Sequence, residues 1–262
     1  MNSNNQNISM FLLDMDGTIY LDDELIDGAL DFIHTLIENK IKYIFLTNNS
    51  SKSQNDYLEK LKRLNIPATK DNIYTSGMAT CNYLNEYYHN KKVYLLGTKA
   101  LEQEFRNYGI DLVEENPDIV VCGFDRELNY QKLEKACQFL CDGAIFLATN
   151  PDYVCPIANK RYIPDCGSIC DMIFNATKRK PTFIGKPEPI MIDLLSEKYN
   201  IAKENICMVG DRIYTDIKAG VNAHTKTILV LSGESTLDTV KQSDIKPDYV
   251  LSSVKDIISL IK

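Results

Sequence analysis

No stretch of this 262-residue chain is apolar for long enough to cross a bilayer, and residues 1 to 9, rich in Asn and Ser, contain no basic region leading into an apolar run. A membrane-spanning or secreted protein is disfavoured on both counts, and a soluble, cytoplasmic one is expected. Positive charge is also in short supply, with 29 Lys and Arg against 36 Asp and Glu and a net charge of −7. That balance argues against a nucleic-acid or anionic-membrane partner. Only three histidines occur, His34, His89 and His224, none with an acidic partner beside it in the sequence, so each reads as a surface or satisfied histidine. No short fixed-period repeat and no low-complexity tract beyond the N-terminal tail is present, which sets repeat architectures aside.

Cysteine is not scarce, with eight at positions 81, 122, 137, 141, 155, 166, 170 and 207. Without a secretion signal, disulfides are not expected. Cys122, Cys137 and Cys207 lie in apolar runs, where a reduced thiol packs like a small hydrophobe. The four-residue spacings Cys137 to Cys141 and Cys166 to Cys170 fit a zinc site and fit one face of a helix equally well.

What organises the chain is an apolar run that stops at two carboxylates: Phe11-Leu12-Leu13 leads into Asp14-Met15-Asp16-Gly17-Thr18. A short apolar run ahead of a Gly-containing turn suits a central parallel strand, and open α/β sheets bind ligands at the carboxyl ends of their strands. Gly17 lets the backbone turn sharply, so that Asp16 can swing back toward Asp14. Two carboxylates held close repel unless a divalent cation sits on one or a proton on the other. Taken alone, a polar turn after a core strand reads the same way. Three further apolar runs break the tie: Ile44-Phe45-Leu46 leads into Thr47-Asn48-Asn49-Ser50, Phe183-Ile184 into Gly185-Lys186-Pro187, and Ile206-Cys207-Met208-Val209 into Gly210-Asp211-Arg212.

Amphipathic segments alternate with these runs. Ala29, Ile33, Leu36 and Ile37 share one helical face, as do Tyr57, Leu58, Leu61 and Leu64. From Val93 to Ala148 strand and helix alternate often enough to build a small α/β domain. Thr149 to Ser168, rich in Asn, Pro, Asp and Gly, reads as a long loop of the kind that is often functional. A helix to Thr177 and the basic junction Lys178-Arg179-Lys180-Pro181 follow, after which Phe183-Ile184 is expected to return the chain to its first sheet. The predicted architecture is α/β: a doubly wound parallel sheet from residues 1–79 and 181–262, with residues 80–180 inserted as a smaller α/β domain.

Asp14-Met15-Asp16-Gly17-Thr18-Ile19-Tyr20, Leu46-Thr47-Asn48-Asn49-Ser50, Gly185-Lys186-Pro187-Glu188-Pro189 and Val209-Gly210-Asp211-Arg212-Ile213-Tyr214-Thr215-Asp216-Ile217 stand in this order, ahead of a strand at Thr227 to Leu231. Together they resemble the four motifs of the haloacid dehalogenase-like (HAD) phosphohydrolases, and more closely the NagD or 4-nitrophenylphosphatase group. The likeness covers nearly the whole chain. It implies a Rossmann-like HAD core with an α/β cap inserted between the second and third motifs. Only 33 positions separate Asp14 from Thr47, too few for the helical cap of other members, which implies subclass IIA.

The resemblance implies a magnesium-dependent phosphomonoesterase acting on small phosphorylated metabolites such as sugar phosphates, nucleoside monophosphates or 4-nitrophenyl phosphate-like esters. Asp14 is the implied nucleophile, forming an aspartyl-phosphate that splits one hard displacement into two easier ones. Asp16 is the implied acid for the leaving group and then base for water. Mg2+ would take carboxylate oxygens from Asp14 and Asp211 and the backbone carbonyl of Asp16, with Asp216 reaching a metal-bound water. Asp16, Thr47, Asn48 and Lys186 would hold the phosphate, Lys186 offsetting the acidic cluster. Asp211 and Asp216 also read as helix N-terminal caps, and Arg212, where the family often has Asn, is given no role. Substrate choice falls to the cap, with Asn150, Asp152, Arg161, Asp165, Cys166 and Gly167 as candidates. There Pro164-Asp165-Cys166-Gly167-Ser168 resembles a Pro-Gly-X-Gly-Ser pattern, with Asp165 departing from it. The resemblance also allows self-association through the cap. A phospho-acceptor signalling module and a phosphomutase are the competing readings; the inserted cap and the acid at Asp16 weigh against the first, and the helical cap that mutases of this superfamily usually carry, missing here, weighs against the second.

Overall fold

The computed structural model describes residues 8–157 and 161–261. In chain order, strand β1 (Met10–Leu13) is buried at every position, as a strand covered on both faces must be. The short hairpin β2 (Tyr20–Leu21) and β3 (Glu24–Leu25) follows. Helix α1 (Ala29–Glu38) buries Ala29, Phe32, Ile33 and Leu36, while Ile37, expected on the same face, is exposed. Strand β4 (Lys42–Thr47), helix α2 (Gln54–Arg63) and strand β5 (Ile73–Thr75) complete this half.

Next come α3 (Ser76–Tyr87), β6 (Val93–Leu96), α4 (Lys99–Asn107), β7 (Ile119–Cys122), α5 (Tyr130–Cys141), β8 (Ile145–Ala148), β9 (Val154–Ile157), β10 (Arg161–Pro164), α6 (Cys166–Thr177) and β11 (Thr182–Phe183). Helices α3, α4, α5 and α6 each begin at a side-chain cap, from Thr75, Thr98, Asn129 and Asp165 respectively. The rest of the chain supplies α7 (Ile190–Tyr199), β12 (Ile206–Gly210), a π-helical turn (Ile213–Ile217) running into α8 (Lys218–Asn222), β13 (Lys226–Val230), α9 (Leu237–Gln242), β14 (Tyr249–Leu251) and α10 (Ile258–Ile261).

The described residues form two compact units, one of residues 8–47, 54–74 and 186–261 and one of residues 48–53, 75–157 and 161–185. The first is built on a six-stranded sheet in the order β14-β13-β12-β1-β4-β5. Strand β1 pairs parallel with β12 on one side and β4 on the other, Leu13 standing opposite both Val209 and Phe45. Strand order reverses at the β1/β12 pair, and the crevice beyond the carboxyl ends at such a switch point is where open α/β sheets bind ligands. Phe11 and Leu13 pack into a cluster with Phe32, Ile33 and Leu36 of α1 and Tyr57 and Leu61 of α2. By strand alternation the buried Met10 and Leu12 face the other side.

The second unit carries a four-stranded parallel sheet, β11-β8-β7-β6. Two expectations are corrected here. The Phe183 strand pairs with β8, Phe183 opposite Ala148, and the N–H groups of Ile184 and Gly185 donate to the carbonyls of Ala148 and Thr149 at 3.0 and 2.8 Å. It is an edge of the smaller sheet, not part of the larger one, because two apolar residues carry no information about which sheet supplies their partner. The segment expected to be a loop contains the antiparallel hairpin β9/β10, and α6 starts at Cys166, ahead of Ser168. Pro156 and Pro164 and the polar content masked the hairpin, whose residues are largely exposed and whose prolines sit where an edge strand tolerates them.

Candidate active site

At the carboxyl end of β1 the Asp14 N–H donates to the Val209 carbonyl at 2.9 Å, which carries the strand register straight into the site. The fully buried Lys186 ammonium donates to Asp14 Oδ1 at 2.6 Å, to Asp216 Oδ1 at 2.7 Å and to the Leu46 carbonyl at 3.1 Å. Three segments distant in sequence therefore converge on one cation. Asp14, Asp211 and Asp216 each place a carboxylate oxygen within 4.8 Å of the others. Thr47 is buried at the end of β4, one residue past the carbonyl that Lys186 contacts.

Asp211 is positioned by groups that the sequence reading did not assign. The Glu234 N–H donates to its Oδ2 at 2.7 Å, and the Thr18 hydroxyl lies 3.5 Å from Oδ1. Gly17 and Gly233 crowd the same carboxylate: a Cβ at Gly17 would stand 2.5 Å from Oδ2, and one at Gly233 closer still. Gly17 has φ +85°, a conformation that side chains rarely adopt, so the turn and the close approach both require glycine. Asp216 accepts from the Arg212 N–H at 3.1 Å, and the Arg212 guanidinium pairs with Glu234 at 3.0 Å.

Electrostatically the cluster is overloaded. Burial, Asp216 and Asp211 push Asp14 well above the ordinary carboxylate range, against the pull of Lys186. Burial and Asp216 raise Asp211 to about 6. Burial works against the Lys186 charge, but Asp14 and Asp216 outweigh it and hold the ammonium protonated. Three clustered carboxylates, with one ammonium held between two of them, leave a surplus of negative charge. Their hard oxygen donors fit a divalent cation, which would remove that surplus.

Asp16 stands apart from this cluster. Its side chain is 63% exposed and lies 3.8 Å from the Lys60 ammonium, which also sits 3.8 Å above the Tyr20 ring. Asn48 belongs to the second unit, where its amide donates to Asp152 Oδ2 at 2.8 Å. Among the loop candidates, buried Asn150 donates to Asp152 at 3.0 Å and Asp165 at 3.1 Å, Asp165 caps α6, and Gly167 leaves no room for a Cβ against the Pro151 carbonyl. Cys166 is buried and Arg161 exposed. These loop residues other than Arg161 already hold the second unit's own backbone together.

Comparison with known proteins agrees with this architecture over its full length. The profile of the haloacid dehalogenase-like hydrolases matches residues 11–111, and a HAD-hydrolase-like profile matches residues 183–257. The acid sugar phosphatase of Staphylococcus haemolyticus is 36% identical over 255 residues, 97% of each chain. The crystal structure of a 4-nitrophenylphosphatase from Thermotoga maritima is 42% identical, covers 98% of this chain and 99% of that one, and superposes with a TM-score of 0.94. NagD from Escherichia coli K-12, at 34% identity, covers 96% and 98% of the two chains with a TM-score of 0.89. With sequence likeness, sheet order and an inserted α/β unit in agreement, the chain belongs to the haloacid dehalogenase-like hydrolases and is a HAD-type phosphatase of the NagD and 4-nitrophenylphosphatase-like group, subclass IIA.

Proposed function

We propose that the enzyme hydrolyses small phosphate monoesters with magnesium, sugar phosphates first among them, through an aspartyl-phosphate on Asp14. The observation that carries this reading is the Lys186 ammonium held between Asp14 and Asp216 at the switch point of the sheet. A phosphoryl group is anionic, so its transfer depends on positioning and on charge compensation more than on covalent help from the protein. Lys186 fixes one oxygen of Asp14 and leaves the other to attack phosphorus. Asp16, exposed two residues beyond Asp14, donates the proton to the departing alkoxide and later accepts one from water. Thr47 supplies a hydroxyl to the phosphoryl oxygens. Asp14 and Asp211, with the Asp16 carbonyl, would hold Mg2+, which supplies compensation for the charge on the phosphoryl group; Asp216 would anchor a water beside it.

Sugar phosphates lead the list because the curated relatives named acid sugar phosphatases match nearly the entire chain. The test is phosphate release from a panel of sugar phosphates, nucleoside monophosphates and 4-nitrophenyl phosphate, with Mg2+ and after chelation. Many turnovers per chain, abolished by chelator and restored by Mg2+, are expected. A single stoichiometric labelling without turnover would instead identify a phospho-acceptor module, and isomerised sugar phosphate without free phosphate would identify a mutase.

A further inference from the structure

Three of the eight cysteines converge in the second unit although they lie in two separate elements. Cys122 ends β7, and Cys166 and Cys170 stand one turn apart at the start of α6; all three are buried. Each sulfur lies within 4.8 Å of the other two, and Cys166 Sγ to Cys170 Sγ is 4.0 Å. Cys166 Sγ also lies 3.2 Å from the Cys122 carbonyl oxygen. Cys166 is the first residue of a 12-residue helix, where the helix dipole favours negative charge.

Two features separate this cluster from thiols that merely fill space. A cation bonded in plane to three thiolates at about 2.3 Å spaces the sulfurs about 4.0 Å apart, the separation found between Cys166 and Cys170. Cys166 also stands at the N-terminus of α6, where the helix dipole favours the negative charge a thiolate ligand carries. Among the described residues no fourth His, Cys, Asp or Glu joins the group. Structural zinc takes four protein ligands as a rule, whereas soft thiolates also select cuprous copper, which is stable with three.

We propose that Cys122, Cys166 and Cys170 form a three-thiolate site for a cuprous ion, tying the end of β7 to the start of α6. Each sulfur that becomes a ligand gives up its proton to the buffer, and copper stays monovalent throughout. The site is independent of the phosphatase reaction, and so is its test. The full chain is titrated anaerobically with cuprous ion delivered as its bicinchoninate complex. Wild type is expected to withdraw one equivalent from the chelator and to show a raised thermal midpoint. Cys122→Ala and Cys170→Ala are expected to lose roughly 100-fold or more in affinity, while Cys141→Ser, at the exposed cysteine, keeps the full equivalent. X-ray absorption on the wild-type complex, expected to show three sulfurs at about 2.3 Å, decides the matter even where a variant does not fold. No uptake by wild type, uptake unchanged in the variants, or a shell of nitrogen and oxygen would each overturn the proposal. Zinc held four-coordinate in preference to copper would overturn it as well.

Discussion

Both units bury carboxyl groups, but they satisfy them in different ways. In the first, Asp14 and Asp216 hold an ammonium between them with Asp211 beside both, and mutual repulsion adds to burial in raising Asp14 and Asp211. In the second, Glu104 meets the Thr75 hydroxyl at 3.5 Å and Asp165 meets the Asn150 amide and its own helix N-terminus. Burial there raises each to about 7. Neutral donors satisfy the geometry of a carboxylate without supplying a counter-charge. The first arrangement can be relieved by an added cation, so it is poised for a ligand. In the second, a proton does the same work, so those groups follow pH instead.

That contrast can be broken most severely at the proposed nucleophile. Asp14→Asn is expected to lower phosphate release at least about 10^4-fold while far-UV dichroism stays unchanged, because it removes the oxygen proposed to attack phosphorus and keeps the shape. Comparable rates from the two proteins would remove Asp14 from the chemistry.

Lys186→Met takes the counter-charge away and leaves buried carboxylates facing one another. A loss of about 3–5 kcal/mol in urea unfolding at pH 7.5 is expected, along with activity, since breaking one side of a buried pair strands the other. A loss below about 1 kcal/mol, the range of an exposed pair, would show that the site is hydrated enough to make the lysine dispensable.

Glu104 sharpens the comparison from the other side. Folding raises this carboxyl from 4.5 to about 7, so the folded chain binds its proton more tightly than the unfolded one. The stability it contributes is present below pH 4.5 and is lost as pH rises through about 7. Glu104→Gln abolishes the loss, and the variant is expected to exceed wild type by up to about 3 kcal/mol at pH 8 and to match it near pH 4.5. Urea midpoints across that range measure the difference; parallel curves would show that Glu104 does not titrate on folding.

Smaller effects are expected where geometry alone is altered. Gly233→Ala presses a methyl group against the Asp211 carboxylate, and a 10- to 100-fold rise, roughly, in the Mg2+ concentration needed for half-maximal activity is expected, with little change at saturation. Lys60→Met removes a partly exposed charge near Asp16, and less than about a fivefold change in kcat/KM is expected. A larger collapse would make Lys60 part of the chemistry.

Much of this was legible in the sequence because three of the four proposed catalytic segments join a buried strand to a polar cluster. Asp14, Thr47 and Asp211 end or follow strands of one sheet, and parallel register carries them to a common edge. Lys186 was legible as a residue but not by its strand, since Thr182–Phe183 pairs with the other sheet. The hairpin β9/β10 stayed hidden because an exposed ribbon has no apolar side to betray it. Ser232-Gly233-Glu234-Ser235 did carry a signal, a polar cluster closing the strand β13, from which the hold of Glu234 on Asp211 could have been anticipated. Lys60 carried none, being one of several cations on an ordinary amphipathic helix.

The bare glycines flanking Asp211 bear on how such an enzyme can diverge. Any mutation that adds a side chain at Gly17 or Gly233 collides with an acid whose place is fixed by the backbone, so these two positions cannot be used to tune preference among esters. Changes in the choice of ester are expected instead where bulk can be gained without disturbing that carboxylate.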